Sequence, residues 1–209
     1  MAPTTIRWVV CCERCLSTPS FSPPSILHIT LRGSSQPDDG SAIVHALTKC
    51  DTYSWCSGLR DDNLTMTREA WHAGTYSHGW GSSAITGVTW GVLGLHELTP
   101  TWATFVVKPK LGPLASASGV VPTIRGFINV TATPGAVDVT VPCNTRAVLC
   151  TPRSAADPET FAPESYALML DGVEALGARL EGGHLCLPES VGCGADGAPR
   201  QLRAQRRGA

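Results

Sequence analysis

Apolar and polar residues alternate through the C-terminal half of this chain, which predicts strands. TFVVKP alternates from Thr104, and GFINVTA and AVDVTV follow, separated by the turn signal Thr133-Pro134-Gly135. A turn at Asn144 leads into the apolar run AVLC, and YALMLDG and HLCLPE complete the set. Asp171-Gly172, inside YALMLDGVEA, is a strong signal for a two-residue hairpin turn. Short strands broken by turn signals about every ten residues predict an antiparallel sandwich or barrel.

The preceding stretch carries helical spacing instead. In SAIVHALTKC, Ile43, Val44 and Leu47 share one helical face, and Ser41 is placed to cap it. TYSW and SGLRDDN read as loop or turn. AITGVTWGVLGLHEL repeats apolar residues at Ile85, Val88, Leu95 and Leu98, and Pro100 closes it. Gly87, Gly91 and Gly94 lie three and four apart on that pattern, which favours close packing against another helix. Residues 1–40 are rich in Ser and Pro and end in GSSQPDDG. They are expected to be irregular, with Ile26–Leu31 as a candidate short strand. No internal repeat is present.

Composition narrows the function. With 43% hydrophobic and 16% charged residues, the chain has enough apolar material for a packed core. A net charge of −1 supplies no field for nucleic acid or an anionic membrane. Arg200, Arg203, Arg206 and Arg207 make a basic tail, read as solvated and disordered over 196–209. No apolar run reaches the length of about 20 residues that spans a bilayer. The apolar stretch near the start is interrupted by Glu13 and Arg14, so it does not read as a signal peptide and leaves the compartment open. The nine cysteines cannot all pair within the chain. Cys11, Cys12 and Cys15 form a CCxxC cluster with no second half-site, so no metal is expected. For Cys143, Cys150, Cys186 and Cys193, cross-strand bridges and buried thiols are both open. Serine-hydrolase, P-loop, dinucleotide and zinc-protease motifs are absent.

Five of the six tryptophans, at 55, 71, 80, 90 and 102, fall within fifty residues. Indole faces stack on sugar rings, and they also anchor cores. Glu69 precedes Trp71, and His78 precedes Trp80. A carboxylate desolvated beside an indole suits general acid or base work. Asp61 and Asp62 read as solvated loop residues or a helix cap.

At these motifs the chain resembles the bacterial and fungal α-L-rhamnosidases. TMTREAW is similar to that family's "TT-x-W/R-E-x-W" segment. SHGWGSSAITGV is similar to the segment opening its last barrel helix. GLHELTPTWATFVVKPKLGPL resembles the crossover "GL-x-P-x-x-P-G-W-x-x-x-x-x-x-P", and VPTIRGFINV resembles the strand "T-x-R-G-x-I-x-V". VTVPCNTRAVLCTP and LMLDGVEA…EGGHLCLPESVGCG are similar to the strands that close the domain.

The resemblance implies an α+β chain: the last helices of an (α/α)6 barrel over 41–100, then an antiparallel β-sandwich over 101–195. It implies inverting hydrolysis of terminal α-L-rhamnose from glycosides or polysaccharides, with no cofactor. By position, Glu69 matches the general base and His78 a residue that hydrogen-bonds the sugar. Trp71 and Trp80 match aromatic positions near the pocket. The family's general acid lies upstream of the matched stretch, so these 209 residues alone are expected to be inactive. The alternative is a carbohydrate-binding or structural β-sandwich module. Oligomeric state is not legible in the sequence.

Overall fold

The computed structural model describes residues 5–9, 40–51, 54–69, 79–152 and 165–206; for Thr5–Val9, Trp80 and Arg206 it describes the backbone alone. Twelve strands among the described residues form two sheets. These are β1 (Thr5–Val9), β2 (Leu95–Glu97), β3 (Thr104–Val107), β4 (Ser116–Thr123), β5 (Gly126–Thr133), β6 (Ala136–Thr140), β7 (Arg146–Thr151), β8 (Tyr166–Leu170), β9 (Val173–Glu174), β10 (Arg179–Glu181), β11 (His184–Cys186) and β12 (Arg200–Arg206). One sheet runs β1-β4-β5-β6-β12-β8-β9 and the other β10-β11-β7-β3-β2. Pairing is antiparallel except for β1 with β4 and β3 with β7. The result is a mostly antiparallel β-sandwich with few helices, and no complete (α/α)6 barrel lies among the described residues.

The alternation seen in the sequence sets which face each strand buries. Ile128, Val130 and Ala132 of β5 point into the core, while Asn129 and Thr131 point out. Val137 and Val139 of β6 and Phe105 and Val107 of β3 enter the same core. Each such side chain contributes about 1.5–3 kcal/mol by leaving water. At the β8–β9 hairpin, Asp171 and Gly172 both take positive φ, 51° and 83°, as a two-residue turn of matching twist requires.

Three helices precede the sandwich proper: α1 (Ser41–Thr48), α2 (Trp55–Asp61) and α3 (Ser83–Thr86). Several expectations need correction here. Ser41 is the first helical residue of α1 and Gly40 occupies the cap position. A Cβ at Gly40 would run into the Lys110 carbonyl, so only glycine admits that approach. SGLRDDN, read as loop, lies largely in α2, which Ser54 starts by accepting from the Ser57 amide at 3.0 Å. The long helix expected over 84–98 is short. After α3 it continues over Gly87–Val92 as a wider turn, in which the Leu93 amide donates to the Val88 carbonyl five residues back. The chain then enters β2, so Leu95 belongs to a sheet and Leu98 is exposed.

The close packing expected of the glycines holds for two of them. Gly87 faces Leu47 and Gly91 faces Ile43 of α1, where a Cβ on Gly91 would sit 2.7 Å from Ile43 Cδ1. Gly94 lies beyond the helical turn, beside the Lys108 carbonyl.

Both ends of the chain also differ from expectation. Thr5–Val9, within the stretch expected to be irregular, pairs with β4. Ile26–Leu31 lies outside the described residues. The basic tail is β12, hydrogen-bonded between β6 and β8 with Leu202 fully buried. Two of its arginines are neutralised on the sheet, Arg203 by Asp138 at 2.7 Å and Arg200 by Asp171 at 2.8 Å. Strand pairing and one buried leucine outweigh the solvation of the charges.

The turn between β2 and β3 is strained. Thr101 and Trp102 both adopt left-handed backbone, at φ 64° and 59°, where a β-branched residue is a rare outlier. Arg125, on the β4–β5 turn, holds it: Nε donates to the Thr101 carbonyl at 2.7 Å, Nη2 to Thr101 Oγ1 at 3.0 Å, and Nη1 to the Asn144 carbonyl at 3.2 Å. Glu97 Oε1 accepts from the Trp102 amide at 3.0 Å. Arg125→Ala is expected to destabilise by about 2–3 kcal/mol, read as a lowered urea midpoint at unchanged slope.

His96 on β2 makes a second local prediction. Its Nε2–H donates to the Trp90 carbonyl at 3.0 Å, and its ring lies 5.4 Å from the Trp90 ring. Burial pushes its pKa below the usual 6.5; the Trp90 carbonyl opposes this and nearby Lys110 reinforces it. The unfolded chain therefore binds this proton more readily than the folded one. The contribution of His96 to stability is complete above pH 6.5 and is lost as pH falls toward the folded-state value. His96→Gln is expected to flatten that part of the dependence of melting temperature on pH between 5 and 7.

Candidate functional site

The candidate site residues fall between α2 and α3. The described chain leaves α2 through Asp62 and Asn63, reaches Glu69, and resumes at Gly79. The aspartates here are engaged with arginines. Asp61 pairs with Arg60 at 2.6 Å and 2.8 Å, and that bond holds its carboxyl below the usual range. Asp62 pairs with Arg68. Glu69 is half-buried, immediately after Arg68.

The turn Gly79–Ser82 closes against this segment. A Cβ on Gly81 would collide with the Arg68 carbonyl and lie 2.9 Å from Thr67 Cβ. Trp55, at the start of α2, donates its indole N–H to the Gly81 carbonyl at 2.9 Å. The adjacent Cys56 is bridged to Cys50. The fold therefore brings the backbone beside Glu69 against the turn that contains Trp80. Trp71 and His78 lie outside the described residues, as does the side chain of Trp80.

The other clustered tryptophans have structural partners. Trp102 is buried against Phe105 at 6.1 Å, and Trp90 packs on His96. The sequence marks Trp55 only as one of the clustered indoles and does not mark Gly81. The available signals were Ser54 as a helix cap and the close spacing of Cys50 and Cys56. Among the described residues, no group of three His, Cys, Asp or Glu side chains is placed to hold a metal. Cys11, Cys12 and Cys15 lie outside them. Among the same residues, no helix is long and apolar enough to cross a membrane.

Residues 94–161 match the family model described as the bacterial alpha-L-rhamnosidase C-terminal domain. Over that stretch, about a third of its length, the chain is similar to an α-L-rhamnosidase C-terminal domain. It is thereby related to glycoside hydrolases. The matched stretch begins at Gly94, takes in β2–β7 and leaves Glu69 outside.

Solved structures agree on the fold. The α-L-rhamnosidase of Streptomyces avermitilis, complexed with L-rhamnose, matches with a TM-score of 0.57 at 17% identity, over 75% of this chain and 15% of that one. The α-L-rhamnosidase of Dictyoglumus thermophilum matches with a TM-score of 0.55 at 14% identity, over 76% of this chain and 18% of that one. At these identities the likeness is one of fold. The chain spans less than a fifth of the length of either structure. No curated protein matches it.

Proposed function

We propose that this rhamnosidase C-terminal domain and its flanking helices are the end of an inverting α-L-rhamnosidase, supplying one side of the sugar site. The observation that carries the reading is the match of 94–161 to the rhamnosidase C-terminal domain, downstream in the sequence of the TREAW and SHGWG segments.

In this reading Glu69 is the general base and activates the attacking water. His78 hydrogen-bonds the sugar hydroxyls, and Trp71 and Trp80 line the pocket. An inverting glycosidase needs a second carboxyl about 6.5–9.5 Å away to protonate the leaving oxygen. That acid belongs to the upstream barrel, which also walls the pocket. The substrate is a terminal α-L-rhamnoside, and the solved Streptomyces avermitilis enzyme with L-rhamnose bound is consistent with that choice. The segment acts as a half-site, so the isolated chain neither positions nor hydrolyses substrate.

A second reading, a carbohydrate-binding sandwich, draws on the two-sheet architecture of the strands. Calorimetry separates the two. The half-site reading expects no measurable heat when L-rhamnose at millimolar concentration is titrated into the pure chain. A saturable heat that survives Glu69→Gln would favour the binding module.

A further inference from the structure

We propose that Trp55 is a positioning residue for the half-site, holding the segment that ends at Glu69 and the turn Gly79–Ser82 in fixed register. Its catalytic meaning rests on the rhamnosidase reading above; its geometry does not.

Three observations carry it. The Trp55 indole N–H donates to the Gly81 carbonyl at 2.9 Å, across 26 positions of chain. Gly81 lies in the turn Gly79–Ser82, which contains Trp80 and begins directly after His78. A Cβ on Gly81 would meet the Arg68 carbonyl and sit 3.2 Å from Thr67 Oγ1, so this turn rests on the backbone directly preceding Glu69.

Trp55 is itself held from both directions. Ser54 caps its helix, and Cys56 is bridged to Cys50, just past α1. Ile43 of α1 packs on Gly91, in the helical turn that continues from Gly79–Ser82 through α3. The contacts thus close a ring: Trp55 to Gly81, along α3 to Gly91, to Ile43 and α1, and through the Cys50–Cys56 bridge back to Trp55. The indole hydrogen bond is the link in that ring nearest to both site segments. A displacement of about 1 Å at a reacting group is enough to lower a rate by on the order of 10²-fold.

The test uses the isotopically labelled 209-residue protein without ligand. In the wild type, the Trp55 indole proton is expected to be protected from exchange and to show a cross-relaxation peak to the Gly81 α-protons. Trp55→Phe is expected to move the Glu69 side-chain carboxyl carbon resonance. It also raises amide exchange at 67–69 and at 79–82 at least tenfold, while Val137 and Val139 in the sandwich keep their protection. Gly81→Ala is expected to do the same. An unmoved Glu69 resonance with both segments still protected in Trp55→Phe overturns the proposal. So does a wild-type indole proton that exchanges freely and shows no contact with Gly81, a result that needs no variant to fold. No turnover enters this test, so the lock can fail while the rhamnosidase reading stands. Failure of the rhamnosidase reading removes the lock's catalytic meaning and leaves its geometry.

Discussion

A chain ending at Ala198 is expected not to fold. That truncation removes β12, which lies inside the seven-stranded sheet with β6 on one side and β8 on the other. It takes Leu202 out of the core and leaves the facing edges of β6 and β8 without partners. It also detaches the β8–β9 hairpin, which joins the sheet through β12 alone. Domains are stable by only about 5–15 kcal/mol in total, so this loss exceeds what the fold can absorb. Circular dichroism is expected to show no cooperative thermal transition. A melting temperature within a few degrees of the full chain would contradict the central place given to β12. The milder Leu202→Ala is expected to fold and to lose about 2–5 kcal/mol.

The second large effect concerns Cys150 and Cys186. They face each other across β7 and β11, are fully buried, and are bridged with 36 positions between them. The Cys143–Cys193 bridge encloses the same segment. The unfolded chain is therefore already partly closed when the inner bridge is removed. The relevant loop is the short path through the outer bridge, comparable to one of about 15 residues, which corresponds to about 3 kcal/mol. The Cys150→Ala, Cys186→Ala double variant is expected to lose that amount in chemical denaturation under oxidising conditions. In excess reductant the parent chain is expected to lose more, because both bridges open. A loss below about 1 kcal/mol would show that the bridge closes little of the unfolded chain.

How much was legible in the sequence depended on the size of the side chains that carry each element. In β3, β5 and β6, Phe, Ile and Val alternate with Thr, Asn and Asp, so period and face were both readable. Asp171-Gly172 was readable because few residues tolerate two successive positive φ angles. In α2 the buried residues are Ser57 and Gly58, which leave no apolar stripe to see. Among the described side chains of β12 only Leu202 is fully buried, and the arginines around it read as a solvated run until Asp138 and Asp171 are placed beside two of them. The false helix over 95–98 arose because Leu95 and Leu98 continue the 3.6 spacing by accident across a change of element.

The strained turn shows the same limit. The crossover pattern that the chain resembles carries glycine at the position of Thr101. This chain keeps the left-handed backbone there and gives the hydroxyl to Arg125. Of the candidate site, the sequence carries the residue types and their order. The contact between the two site segments was not legible, because it runs through a glycine and a backbone carbonyl.

We propose above that this chain holds the base side of a rhamnosidase site and needs a barrel for the acid side. Release of the aryl group from an aryl α-L-rhamnoside decides between that reading and its failure. The release is measured for the pure 209-residue protein and for the same residues joined to an α-L-rhamnosidase catalytic barrel. The expected result is no release above the blank from the chain alone and steady turnover from the joined protein. In the joined protein, Glu69→Gln should reduce the rate by on the order of 10²–10⁴-fold. Turnover by the chain alone, or a joined protein whose rate is untouched by Glu69→Gln, would contradict the account.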